Sequence, residues 1–190
     1  MATVATPYIS PEEYLERERH AETRSEYLRG EVFAMAGGSL RHARIITSLV
    51  RRLAEKVGNY CDVYSTDVRL AIPMAQLYTY PDVMVVCGQL LPSEDTVSDP
   101  ILIVEVLSDS TKSYDRGDKF HYYRSLPSLM EYMTVAQDKI HVEHWVRQPS
   151  AQWLFTELTD AAAALQLPSL SLELRIADIY EKVDFEERTG

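Results

Sequence analysis

Ile101-Leu102-Ile103-Val104-Glu105-Val106-Leu107 is an apolar run broken by a single charge. It is rich in branched residues and too short to favour a helix, so it reads as a strand. An ionised carboxylate in such a run loses most of its hydration, at a cost of several kcal/mol unless a cation, hydrogen-bond donors or a metal replaces the water. Glu105 therefore needs a partner. Upstream, Tyr80-Pro81-Asp82-Val83-Met84-Val85-Val86 is a second strand-like run with Asp82 at its start. Two carboxylates brought together repel each other unless a proton or a divalent cation lies between them. Magnesium suits such a pair, because it takes oxygen ligands from one or two carboxylates and keeps several waters.

Downstream lies Ser108-Asp109-Ser110-Thr111-Lys112-Ser113-Tyr114-Asp115-Arg116-Gly117-Asp118-Lys119. Pro81-Asp82 followed by Glu105-Val106-Leu107 resembles the PD-(D/E)XK nuclease superfamily, whose second motif is Asp/Glu-x-Lys. Leu107 stands where that lysine belongs, and Leu cannot polarise a water. The Asp115-Arg116-Gly117-Asp118-Lys119 segment resembles the Uma-type restriction endonuclease family, in which the lysine has moved to the helix after the strand. Lys119 is then the catalytic candidate, with Lys112 as the other lysine within reach. The resemblance runs from about Glu26 to Tyr180 and is most specific at Glu105 to Lys119, with Tyr132 beyond.

What the resemblance implies is an α/β fold, a restriction-endonuclease-like mixed β-sheet flanked by helices in a single domain over residues 1–190. It further implies Mg²⁺-dependent hydrolysis of DNA phosphodiester bonds, with Mn²⁺ as a substitute. Asp82 and Glu105 are the implied metal ligands, joined by the Val106 carbonyl and by Glu31 in the Gly30-Glu31 step. A homodimer is implied as well, since nucleases of this kind often pair subunits to cut both strands.

With 190 residues and 46% hydrophobic content, the chain can bury a sizeable core in one domain. No apolar run reaches the roughly 20 residues that span a bilayer, so a soluble, cytoplasmic protein with no membrane partner is expected. Cys61 and Cys87 form no CxxC motif and are expected as free thiols. The net charge of -10 opposes the basic footprint of a nucleic-acid-binding protein, so a local basic surface or a metal has to offset it.

Ser10-Pro11-Glu12-Glu13 signals a helix start, and that helix should end near Arg19. Arg29-Gly30 reads as a hairpin turn between Glu26-Tyr27-Leu28 and Glu31–Met35. Gly37-Gly38-Ser39 leads into a helix to about Val57, with an apolar stripe from Ile45 to Val57 and Gly58 ending it. Its Arg41, Arg44, Arg51, Arg52 and Lys56 read as a solvated face, with a phosphate backbone as the alternative, and His42 in its first turn reads as structural or surface, with contact to phosphate or metal as the alternative.

Short strands follow at Cys61–Tyr64 and Val68–Ile72, and a polar loop at Pro92–Pro100. A helix is expected from Asp115 to Arg124, with Tyr122 and Tyr123 holding the stem of Lys119. A second hairpin, Leu129–Val135 and Lys139–Val146, carries His141 and His144 on opposite strand faces, which argues against zinc. Strands at Trp153–Leu158 and Leu170–Leu174, a short helix from Ile176 to Val183 and a frayed tail from Asp184 complete the chain.

Two other readings fit the same residues. One is a binding or assembly protein in which Asp82, Glu105 and Lys119 form a buried ion network without chemistry. The other is a metal-dependent hydrolase of a smaller phosphate substrate.

Overall fold

In the computed structural model, which describes residues 8–35, 37–88, 95–108 and 112–185, the Glu105 run lies at the heart of the protein. It forms β8 (Leu102–Leu107), all of whose residues are buried. On one side it pairs antiparallel with β6 (Val83–Cys87), which in turn pairs with β3 (Cys61–Ser65). On the other side it pairs parallel with β9 (Glu131–Ala136), followed by β10 (Val142–Arg147) and β11 (Trp153–Leu158), both antiparallel. The result is a mixed six-stranded sheet in the order β11-β10-β9-β8-β6-β3.

Strand alternation gives this sheet two buried faces. Val104, Val106, Val83, Val85, Met133 and Val135 face helix α2 (Leu40–Ala54), whose Ile45, Leu49 and Leu53 are fully buried. The small hairpin β12 (Ala164–Leu167) and β13 (Leu172–Arg175) and helix α5 (Ile176–Ile179) close that side. Ile103, Met84, Val86 and Tyr132 face the other way.

There they meet a second sheet in the order β2-β1-β5-β4-β7, built from β1 (Ser25–Leu28), β2 (Glu31–Ala34), β4 (Arg69–Ile72), β5 (Leu77–Thr79) and β7 (Thr96–Val97). Phe120, Tyr123 and Leu126 complete this core; the first two belong to a helical segment of three parts, α3 (Lys112–Tyr114), a wide π-turn (Asp115–Lys119) and α4 (Phe120–Tyr123). No helix of the described residues is long and apolar enough to cross a membrane.

The local signals act as their chemistry dictates. Helix α1 (Pro11–Arg19) starts on Ser10, whose side chain accepts from the Glu13 amide at 3.2 Å. Arg29 and Gly30 both take positive φ, 50° and 97°, the twist a two-residue hairpin requires. The cations of α2 pair within the fold: Arg44 donates to the Lys182 carbonyl, while Arg51 and Arg52 reach Glu181. His141 and His144 separate as expected, one to Glu157 and the other to the fully buried Glu131.

Several expectations need correction. Helix α2 ends at Ala54, and Gly58, at φ 67°, opens a short 3-10 turn instead. Strands β5 and β12 escape the sequence reading because each is only three or four residues long. Asp109–Thr111, the start of the Pro92–Pro100 loop and the tail from Glu186 lie outside the described residues.

Cys61 and Cys87 are not free thiols. They face each other in the β3–β6 register with Cα atoms 4.0 Å apart and are joined by a disulfide. The bond closes a separation of 26 residues, so reduction is expected to lower unfolding stability by about 3.5 kcal/mol. Urea unfolding with and without reductant reads that loss, and Cys61→Ala/Cys87→Ala should be insensitive to reductant.

Candidate active site

The β6–β8 register brings the two acids together. One step beyond the Val83–Val104 pair, Asp82 comes opposite Glu105. Asp82 Oδ2 accepts from the Val106 amide at 2.7 Å, and the Asp82 amide lies 3.4 Å from Glu105 Oε2. Alternation then turns Glu105 to the face of Ile103, away from Val104 and Val106.

The helical segment after β8 supplies the cation. Lys119 Nζ stands 3.3 Å from Glu105 Oε1, 3.0 Å from Glu26 Oε1 and 3.5 Å from Asp115 Oδ1. Tyr123 donates to Glu105 Oε1 at 2.6 Å, and Tyr132 donates to the Asp115 carbonyl at 2.9 Å. The Lys119 amine lies over the Tyr114 ring, 5.7 Å from its centroid, while Tyr122 lies beneath the Arg29 guanidinium.

Glu26 reaches this cluster through a separate tether. The buried Glu18, one residue before the end of α1, accepts from the amide and hydroxyl of Ser25 and from the Tyr80 hydroxyl. That fixes the start of β1, so the next residue, Glu26, points at Lys119, and Thr79 donates to its carboxylate. Glu31 was the acid expected from this hairpin. It lies on β2, the edge strand of the second sheet, is exposed, and does not line the cleft. Glu26 is the hairpin acid that does.

His42, for which contact with phosphate or metal was the lesser expectation, lines the cleft as well. Ser39 caps α2 by accepting from the His42 amide at 3.1 Å, which fixes the first turn. The ring then meets Asp82, with Nε2 at 3.2 Å from Oδ2. Its position in a capped first turn before a core-facing stripe was the available signal. Asp82, Glu105, Val106, Lys119, Glu26, Asp115 and His42 all line one cleft of about 430 Å³. Lys112 lines a neighbouring cavity instead.

The electrostatics follow from burial. Loss of water pushes the Glu105 carboxyl up to about 8; the Lys119 charge and the Tyr123 hydrogen bond pull against this, and Asp115 and Asp82 add to it. Burial alone would depress Lys119, but Glu105, Glu26 and Asp115 together hold its amine well above the ordinary lysine value. His42 is likewise opposed by burial, yet the Asp82 hydrogen bond and charge, with the backbone carbonyl of Val106, leave it raised.

A hard, oxygen-binding cation fits this donor set. The cleft offers the Asp82 and Glu105 carboxylates and the Val106 carbonyl, with Glu26 beside them. No three such side chains among the described residues form a ready cage. Magnesium binds through one or two carboxylates and retains waters, so it does not require such a cage.

The chain is similar to several known proteins. In Synechocystis sp. (strain ATCC 27184 / PCC 6803 / Kazusa), the uncharacterized protein sll1609 is 35% identical over 176 residues, covering 90% of this chain and 99% of its own. A second, slr1290, is 34% identical over 181 residues, covering 94% and 95%. A crystal structure described as a putative nuclease belonging to DUF820, from Anabaena variabilis ATCC 29413, superposes with a TM-score of 0.73 at 19% identity, covering 90% of this chain and 97% of that one. It establishes the fold, an α/β architecture of mixed sheets flanked by helices. The model of the Uma2 family, described as putative restriction endonuclease, matches residues 11–177, and the chain belongs to that family.

Proposed function

We propose that the protein is a divalent-metal-dependent endonuclease that hydrolyses DNA phosphodiester bonds. The observation that carries this reading is the convergence of Asp82, Glu105 and Lys119, from two strands and a helix, on one cleft. Asp82, Glu105 and the Val106 carbonyl would hold one or two Mg²⁺ or Mn²⁺ ions. Such an ion, when bound, supplies Lewis-acid polarisation of the scissile phosphate.

The chain's own residues do the rest. Lys119 presents a fixed positive charge beside the reacting phosphate and offsets the negative charge that grows there, an effect on the order of 3 kcal/mol. Tyr123 holds Glu105 in orientation, and Glu26 holds Lys119. His42 meets the same Asp82 oxygen that accepts from the Val106 amide and helps to fix that carboxylate. Two copies, each addressing one strand, would complete a double-strand cut.

Calorimetric titration of Mn²⁺ and Mg²⁺ tests the reading without knowledge of a target sequence. Wild type should bind metal, whereas Asp82→Asn and Glu105→Gln should bind at least about tenfold more weakly while remaining folded. A wild type that takes up no metal, even with duplex DNA present, would leave the cluster as a structural ion network.

A further inference from the structure

Beside the cleft lies a second cavity, of about 180 Å³, at the ends of the parallel strands β8 and β9. Leu107 and Ala136, which pair in register there, form its floor. Three cations line it, Lys112 from α3, Arg116 from the π-turn and Lys139 from the β9–β10 connection, against one carboxylate, Asp138. In a chain of net charge -10, Lys112 and Lys139 still outnumber Asp138 here after Arg116 is set against its partner Glu143, a local positive excess.

Its placement relative to the cleft is specific. Ser108 and Gln137 line both cavities and so form the wall they share. Leu107 is two residues beyond Glu105 on the same strand, a displacement of about 7 Å at the rise of a β-strand. That is close to the spacing of successive phosphates along one nucleic-acid strand. Arg116 is braced from behind, since its Nε donates to Glu143 at 2.6 Å while Thr134 holds the same Glu143 oxygen at 2.7 Å. At roughly 30 Å³ per water, the volume suits a phosphate group with a few waters.

We infer that the Lys112–Arg116–Lys139 cavity is a phosphate subsite, which receives the phosphate next to the scissile one on the same strand. The inference rests on the nuclease reading and deepens it by assigning the basic contacts that an acidic chain needs. It also gives Lys112 a binding role, distinct from that of Lys119.

Fluorescence anisotropy with a labelled duplex oligonucleotide in EDTA, where no cleavage occurs, provides the test. Binding is followed between about 50 and 200 mM salt, because each phosphate contact contributes about one unit to the slope of log K against log salt. Lys112→Ala/Lys139→Ala is expected to bind roughly tenfold more weakly, with a slope smaller by about one. The control Lys56→Ala/Arg175→Ala removes the same charge from exposed positions outside both cavities and is expected to keep the wild-type slope.

An unchanged slope in the first variant, when wild type binds DNA, would overturn the subsite and leave the nuclease reading standing. An equal loss in the control would overturn it too, by showing that only overall charge matters. A wild type that binds no duplex even at the lowest salt, both in EDTA and with Ca²⁺ in place of EDTA, would remove the nucleic-acid reading and the subsite together.

Discussion

Lys119→Met is expected to lower metal-dependent DNA cleavage by at least about 10²-fold and to destabilise the fold by about 3 kcal/mol. Lys119 is 7% exposed and its amine stands within 3.5 Å of Glu26, Glu105 and Asp115, so its removal leaves three acidic side chains sharing a buried space with no cation. Methionine keeps much of the length and none of the charge. Lys119→Arg is not a conservative rescue here, because a planar guanidinium is too broad for a point charge held among three partners. Cleavage at saturating Mn²⁺ and urea unfolding read the two losses separately. A variant that cuts as fast as wild type would eliminate Lys119 as the catalytic amine.

Glu105→Gln is expected to weaken metal binding at least about tenfold and yet to flatten the dependence of stability on pH. In the metal-free protein, burial raises the Glu105 carboxyl to about 8. The folded state therefore keeps a proton that the unfolded chain releases near the ordinary value of 4.5. Stability from this group is fully present below 4.5 and declines as pH rises toward 8. Wild type should thus lose several kcal/mol relative to Glu105→Gln between acid and mildly alkaline pH, and added Mn²⁺ should restore much of it by favouring the carboxylate. Parallel pH profiles for the two proteins would show that Glu105 is no more burdened by burial than an exposed acid.

How much of this was legible in the sequence depended on the range of each signal. Glu105 and Asp82 announced themselves because a charge inside an apolar strand has few explanations, and the Asp-Arg-Gly-x-Lys context marked Lys119. Glu26 and Glu31 could not be separated in the same way. Both are acids of one short hairpin, and which of them meets the cleft depends on where β1 and β2 sit in the second sheet. That position is set by contacts such as Thr79 to Glu26, 53 residues apart, and Glu18 to Tyr80, 62 apart.

The disulfide was missed for a similar reason. Separation along the chain says nothing about register across β3 and β6, and the register alone makes Cys61 and Cys87 neighbours. His42 was visible as a capped first-turn residue, but its partner Asp82 is 40 positions away.

The wide turn over Asp115–Lys119 has an effect on phase. In a regular α-helix a step of four residues overshoots a full revolution by about 40°, so residues at such steps drift around the cylinder. A π-turn winds less per residue and offsets that drift over the first step. Asp115, Lys119 and Tyr123 therefore stay aligned, with Lys119 and Tyr123 both meeting Glu105 and the Asp115 carbonyl meeting Tyr132. The amine's aim is thus encoded in the pitch of a backbone as well as in the identity of a side chain, a kind of information that a motif written in letters does not carry.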